Sequence, residues 1–382
     1  MTVTVSGGDL QRLRRLNALA VVSALREAGP LPLTRLAERT ELARATIKEV
    51  VRELIALGWV AEMDPSAGGK GRPARRYRFR AEAGRVLGID IGAHKILAAV
   101  GDLDGRVLHV AREPTTPQQG RYERLAAVDR AVDACLAATG TTPREVWTAT
   151  AGSTGYVDLD GNVIHSRAIH DWSGVALAAH LAERLPGVVL VDNDSRLAAL
   201  AECRRGAARD VRNMIFLHMG RRAGAAIVLD GKPLRGSTGA AGEIGLHPLF
   251  QLSDSSDLLV VGGAGPAQFG SALVAFEAAR RGDPAGVNAV LRYVKLVALA
   301  TAAMTLTVDP DVIVLGGGFS RAADVLLPPL RAELETICLR TPELRASTLG
   351  DECVAIGAVC HAAEHLDRRL FNPDFGPVAP PV

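Results

Sequence analysis

An α/β chain headed by a winged helix-turn-helix is what this sequence predicts, on three observations. Three short helical stretches at the front run into a basic hairpin. A strand–turn–strand–turn unit occurs twice further on, and helices alternate with buried-looking strands around both copies.

The front elements follow in order. Leu10–Ala28 carries apolar residues at helical spacing and stops at Gly29-Pro30; LTRLAERT forms a second, short helix, and ARATIKEVVRELIAL a third that ends at Gly58. Helices joined this tightly point to a helix-turn-helix. Stepping about 100° per residue from Ile47 puts Val50, Val51, Leu54, Ile55 and Leu57 within about 80° of it, one apolar arc. Ala45, Lys48, Glu49 and Arg52 face the other way. With Arg44 and Thr46 near the helix start, they form the surface that a recognition helix turns to base edges and phosphates.

The segment WVAEMDPSAGGKGRPARRYRFR then reads as strand, basic tip, strand. Gly69 and Gly71 free the tip and Pro73 stiffens it, so Lys70 and Arg72 are placed to enter a narrow minor groove. A basic hairpin packed on the next domain is the other reading. Charge fits the first: residues 1–82 hold 15 Lys and Arg against 9 Asp and Glu, while the remainder holds 29 against 33. A solvated basic face would explain charge alone, but the helical triplet in front favours double-stranded DNA as partner.

At 382 residues the chain has room for two or three domains of roughly 150 residues each. Its 48% apolar and 23% charged residues are ordinary for a soluble protein, and no uninterrupted apolar stretch reaches the roughly 18 residues of a membrane span. The start, MTVTVSGGDLQRLRR, lacks a signal-peptide hydrophobic region, so a cytoplasmic chain without a membrane partner is expected. Cysteines at 135, 203, 338, 353 and 360 form no C-x-x-C pair. Buried free thiols are expected, with neither disulfide nor metal.

From Gly84 onward, VLGIDIGAHKILAAVGDLDGRVL gives strand, tight turn, strand, Asp-Gly turn and strand, and IFLHMGRRAGAAIVLDGKPL repeats the plan. Two copies imply an internal duplication, each copy opening an α/β lobe, with ligand in the cleft near the strand ends. Helical stretches such as DSRLAALAECRRG and AGVNAVLRYVKLVALATAAMTLTV follow, the latter just before the strand DVIVLGGG. The domains are expected at 1–82, at 84–192 joined by a C-terminal helix at 361–376, and at 193–360.

Four segments carry a resemblance: GIDIGAHK at 88–95, VDNDSRLAALAE at 191–202, GAAGEIGLH at 239–247 and DPDVIVLGGGFS at 309–320. Together they resemble the ROK family (repressors, open reading frames, kinases) over nearly the whole chain. The resemblance implies a two-lobed actin-like fold (ribonuclease H-like, of sugar kinase type), with sugar and ATP between the lobes. The family's DNA-binding members are sugar-responsive regulators.

Residue by residue, the resemblance makes Asp194, after Asn193, the base that would take a proton from the attacking sugar hydroxyl. Read without the family, Asp194 is a helix N-cap. Glu243 matches the family's sugar-binding carboxylate, against a plain turn residue, and Gly152 joins the expected sugar site. His247 is counted with the expected sugar site, although one extra residue displaces it from the family's Glu-x-Gly-His spacing. The cysteine-rich zinc segment that follows in the family is missing, because no cysteine lies between Cys203 and Cys338. Packing is left to order QLSDSSDLLVVGGAG.

The nucleotide side departs further. Asp90, Gly92 and Lys95 remain of the family's Asp-x-Gly-Gly-Thr-Lys, but Ala93 and His94 replace its second Gly and its Thr. In the second phosphate loop, GRRAG stands where Gly-Thr-Gly-x-Gly is usual, so Arg221 and Arg222 crowd the phosphate space. Lost ATP binding is expected, hence no cofactor. The two arginines could instead bind an anion themselves, or form salt bridges across the lobes. The expected protein is a regulator of operator DNA, a repressor, with a sugar or sugar-derivative effector, acting as homodimer or homotetramer. An active ATP-dependent carbohydrate kinase that also binds DNA is the alternative.

Overall fold

The front helices form where apolar spacing places them. In the structure, a computed structural model describing residues 10–63, 75–250, 252–259, 261, 269–372 and 376–377, α1 (Leu10–Ala28) is followed by β1 (Leu31–Pro32), α2 (Leu33–Thr40) and α3 (Arg44–Ala56). Gly29, at φ 72°, makes the left-handed turn that stops α1. β2 (Val60–Met63) and β3 (Arg76–Phe79) pair antiparallel, and β1 adds to β3, giving the three-stranded sheet of a winged helix. Ile47, Val50, Val51 and Leu54 are buried as the arc requires. Ile55, at the edge of that arc, is 39% exposed instead.

The first lobe runs β4 (Arg85–Ile91), β5 (Lys95–Gly101), β6 (Val107–Pro114), α4 (Arg121–Ala138), β7 (Val146–Ser153), a small hairpin of β8 (Tyr156–Val157) and β9 (Val163–His165), α5 (Leu177–Ala182) and β10 (Val188–Asn193). Its sheet order is β10-β7-β4-β5-β6, with β4, β7 and β10 parallel and β5 antiparallel to both neighbours. After α6 (Asp194–Arg205), the second lobe runs β11 (Met214–Met219), β12 (Ala223–Leu229), β13 (Lys232–Pro233), α7 (Phe269–Arg280), α8 (Pro284–Val308), β14 (Val312–Gly316), α9 (Ala323–Ile337) and β15 (Glu343–Ala346). The order β13-β12-β11-β14-β15, with the same senses, is the first sheet over again. The duplication read in the sequence is a duplication of topology.

The helix expected at 361–376 is α10 (Cys353–Leu370), followed by β16 (Phe371–Asn372) and β17 (Gly376–Pro377). It starts earlier because Cys353, Val354, Ala355 and Ala358 continue its buried face. Small residues let it lie close on both sides. A Cβ at Gly88 of β4 would meet the Ala355 carbonyl at 2.5 Å, and one at Gly357 would meet the Leu197 carbonyl of α6 at 1.8 Å. α6 and α10 therefore form a tight pair between the lobes.

One hydrophobic core joins the winged helix to the first lobe. Val21, Leu25, Val51, Leu54, Trp59 and Phe79 pack in the same cluster as Val86, Leu97 and Trp147, and as Val359, Leu366 and Leu370 of α10. Arg26 of α1 pairs with Asp104 and with Asp367 of α10, each at 2.7 Å, and donates to the Leu103 carbonyl. At the end of α6 the neighbours Arg204 and Arg205 donate to the carbonyls of Gly231 and Asp104, in the Asp-Gly turns of the second and first lobes respectively.

A second core fills the other lobe around Phe276, Tyr293 and Phe319. Leu252 and Leu259 of the 252–259 segment enter it, so packing orders that stretch. By length and composition α8 alone among the described residues suits a membrane span, yet Arg292 and Lys295 interrupt it and one face lies in this core. Cys135, Cys203, Cys353 and Cys360 are buried, whereas Cys338 is partly exposed.

Candidate functional site

A cleft of about 1700 Å³ opens between the lobes. Its floor is the start of α6. Asn193 ends β10 and caps the helix, its Oδ1 accepting from the backbone N–H groups of Ser195 and Arg196 at 2.9 and 3.2 Å. The cap is thus Asn193, not Asp194. Released from that task, Asp194 lines the cleft as the first residue of the helix, its Oδ1 accepting from the Ser195 N–H.

Glu243 comes to the same place from a loop that α6 holds. Arg196, buried, pairs with the buried Asp192 at 2.6 Å and donates to the carbonyls of Gly239 and Ala241. Asn193 Nδ2 donates to the Gly155 carbonyl at 2.9 Å and reaches Glu243 Oε1 at 3.4 Å. Burial and the nearby Asp194 charge raise the Glu243 carboxyl above its ordinary range. Asn193, Asp194 and Glu243 form a polar, acceptor-rich group suited to sugar hydroxyls.

Two predicted residues stand elsewhere. Gly152 is a packing position in β7, where a Cβ would meet Val354 Cγ1 at 2.7 Å and Leu197 Cδ1 at 3.0 Å. His247 is exposed beyond the 3₁₀ turn Glu243–Leu246, its ring near Phe250 and its Nδ1 accepting from the Leu249 N–H. The extra residue before it turns the imidazole away from the cleft. Sequence reading missed the β8–β9 hairpin, which contributes Thr154, Tyr156, His165 and Arg167 to the lining. It also missed Arg196. That one arginine shapes the Glu243 loop, and a basic residue directly before the apolar run 197–201 was the available signal.

The nucleotide side is set by two hairpin turns. Gly92 donates its N–H to the Lys95 carbonyl to close the first, and the buried Arg124 braces it by donating to the Gly92 and Thr116 carbonyls. Lys95 is committed, its Nζ lying 3.1 Å from Asp351 Oδ2, which Arg112 also approaches at 2.9 Å. Arg221 and Arg222 stand exposed at the cleft rim on the second turn. The non-glycine positive φ values among the described residues fall at Glu41, Asp171, Asp230 and Asp309. The arginines therefore sit on the second turn without backbone strain.

Asp90, at 6% exposure, has its carboxyl pushed up to about 7, by burial first and then by Asp194 and Asp351 against the opposing charge of Lys95 and Arg112. It binds its proton more tightly folded than unfolded, so its contribution to stability is present below about pH 4 and is lost as pH rises toward 7. Asp90→Asn is expected to raise stability at pH 8 by up to about 4 kcal/mol, with a much smaller gain at pH 5. Urea midpoints of both proteins at the two pH values test this. An equal gap at both would contradict it.

On the winged helix, Arg44, Lys48 and Arg52 are exposed along α3 with Thr46 half-buried beside them. Lys70 and Arg72 lie outside the described residues.

This architecture defines a two-lobed protein of sugar-kinase type fused to a winged helix-turn-helix. The ROK family model matches residues 86–256 and 271–365, and an IclR helix-turn-helix model matches 16–63. The chain belongs to the ROK family. It is 26% identical over 370 residues to the DNA-binding transcriptional dual regulator NagC of Escherichia coli, covering 89% of this chain and 88% of that protein. It is also 26% identical to a glucokinase of Halalkalibacterium halodurans, over 71% of this chain and 92% of the enzyme. Among solved structures, a ROK transcriptional regulator that is a homolog of the E. coli MLC protein aligns with TM-score 0.73 and 22% identity, over 94% of this chain and 98% of that one. A Streptomyces griseus ROK glucokinase aligns at 0.62 and 26%, over 74% of this chain and all of the enzyme. The NagC match covers most of this chain, an IclR helix-turn-helix model matches its front, and the regulator class is where this chain falls.

Proposed function

We propose that the chain is a cytoplasmic repressor that binds operator DNA through α3 and the wing, and that a sugar or sugar derivative in the cleft controls that binding. The observation that carries this reading is the shared core: the DNA-facing domain is built into the lobe that forms one wall of the cleft. A ligand that favours one angle between the lobes then favours one placement of the winged helices in a homo-oligomer. Such control needs different affinities for the two arrangements.

The cleft supports sensing over catalysis. Asp194 is in place as a base, but Lys95 is neutralised by Asp351 and the second phosphate turn carries arginines. ATP-dependent phosphorylation of a hexose, abolished by Asp194→Asn, would overturn the non-enzyme reading. The direct test is binding to the DNA upstream of the protein's own gene, against random competitor at near-physiological salt, with and without a panel of sugars and sugar phosphates. Specific binding released by one compound is the expected result. Arg52→Ala is expected to weaken binding and to flatten its dependence on log salt by about one ion released. An unchanged slope would remove α3 from the interface.

A further inference from the structure

We infer that Glu49, on the outward face of α3, reads a base: it accepts from cytosine N4 in the major groove, so each half-site of the operator carries a C·G pair that the protein requires. The inference rests on the reading of α3 as the recognition helix and names one base that it reads.

The outward face of α3 is divided by sign. Counted from Ile47 at about 100° per residue, Arg44, Lys48 and Arg52 fall between about 60° and 140°, a cationic edge with one residue per turn. Glu49 and Glu53 fall at about 200° and 240°, an acidic edge beside it. All five side chains are exposed. Between the edges stands Ala45, also exposed, whose small side chain lets the helix approach the base edges closely.

A carboxylate on a surface that meets phosphates is a cost, because it repels the backbone that the cationic edge attracts. Several carboxylates elsewhere on this domain are neutralised. Glu38 pairs with Arg35 at 2.7 Å, Glu62 with Arg75 at 2.8 Å and Glu82 with Arg78 at 2.5 Å. The first of these pairs spans three residues of α2; Glu49 and Arg52 stand at the same spacing on α3 and form none. Glu49 is therefore a free acceptor among the described residues, and it lies in the second turn of α3. Recognition helices meet base edges with their N-terminal part, which favours Glu49 over Glu53 one turn further on.

Groove chemistry selects the base. Cytosine shows the N4 amino donor alone, whereas adenine sets its N6 donor beside the N7 acceptor, and guanine and thymine show acceptors that repel a carboxylate. The guanine of the same pair offers O6 and N7 to the neighbouring cations.

The test is selection of binding sequences by the full chain from random duplex DNA at near-physiological salt, then competition with duplexes changed at one base pair. Replacing one C·G pair in each half-site is expected to cost about tenfold or more in affinity. Glu49→Ala is expected to erase the preference at that position alone and to leave the salt dependence unchanged, because no cation is lost. Glu49→Gln is expected to prefer A·T there, since an amide pairs with adenine N6 and N7. Glu53→Ala is expected to alter no base preference. Glu49 is exposed, so an unchanged thermal midpoint checks the fold of its variants. If Glu49→Ala tightens binding to every sequence by one factor and keeps the base preference, Glu49 is a repelling charge only; the inference then fails and the operator reading stands. A native chain with no sequence preference at all would remove both.

Discussion

Trp59→Ala is expected to cost about 3–5 kcal/mol of stability and to remove specific DNA binding, the largest effect of any single change outside the cleft. Trp59 is fully buried where the third helix of the DNA-facing domain gives way to its sheet. It stacks on Phe79 at 6.2 Å and meets Trp147 of the first lobe and Phe371 after α10 edge-on, at 6.2 and 4.9 Å. Truncation opens a cavity in three units at once, none of which can collapse without the others. Urea denaturation followed by tryptophan fluorescence, with a DNA-binding assay on the same preparation, reads both effects. A loss under about 1 kcal/mol would mean that the winged helix is held by something other than this aromatic cluster.

Arg196→Ala is the counterpart inside the cleft. It strips the buried Asp192 of its 2.6 Å partner and frees the carbonyls of Gly239 and Ala241. Breaking a buried pair from one side typically costs about 3–5 kcal/mol, and the lower end is expected here because Arg235 still lies 3.4 Å from Asp192 Oδ2. Sugar binding is expected to fall with it, since the Glu243 loop loses its tie to α6. Asp192→Asn/Arg196→Met, which removes both charges, is expected to recover much of the stability and little of the binding. If the double variant binds sugar as the native protein does, Arg196 has no part in positioning Glu243.

The sequence made much of this fold legible, for identifiable reasons. The front helices were readable because their apolar residues recur at one period and end at Gly29 and Gly58, both left-handed in the structure. The duplicated lobes were readable from two strand pairs closed by Asp-Gly turns. The helix bounds at the C-terminus were not, because small residues such as Gly357 and Ala358, chosen for close approach, carry little hydrophobic signal. Asn193, Asp194 and Glu243, chosen through spacing matched to a family, do line the cleft. Gly152 and His247, chosen by the same method, do not line it. A motif gives the neighbourhood of a residue, whereas its direction depends on local register, as one inserted residue before His247 shows.

The paired arginines at the end of α6 have a mechanical consequence. Arg204 and Arg205 grip the equivalent turn of each lobe, so that end of the helix acts as a pivot shared by both. At the opposite end sit Asn193 and Asp194. Twelve residues at about 1.5 Å each separate them by about 18 Å, so a rotation of about 10° about the pivot displaces the ligand end by about 3 Å. The turn containing Asp104 also receives Arg26 from the winged helix. The DNA-facing domain is therefore mounted at the fulcrum, where a change in lobe angle would arrive as a rotation with little translation, and in the proposed homo-oligomer it is the angle between two such domains that a pair of half-sites on DNA would read.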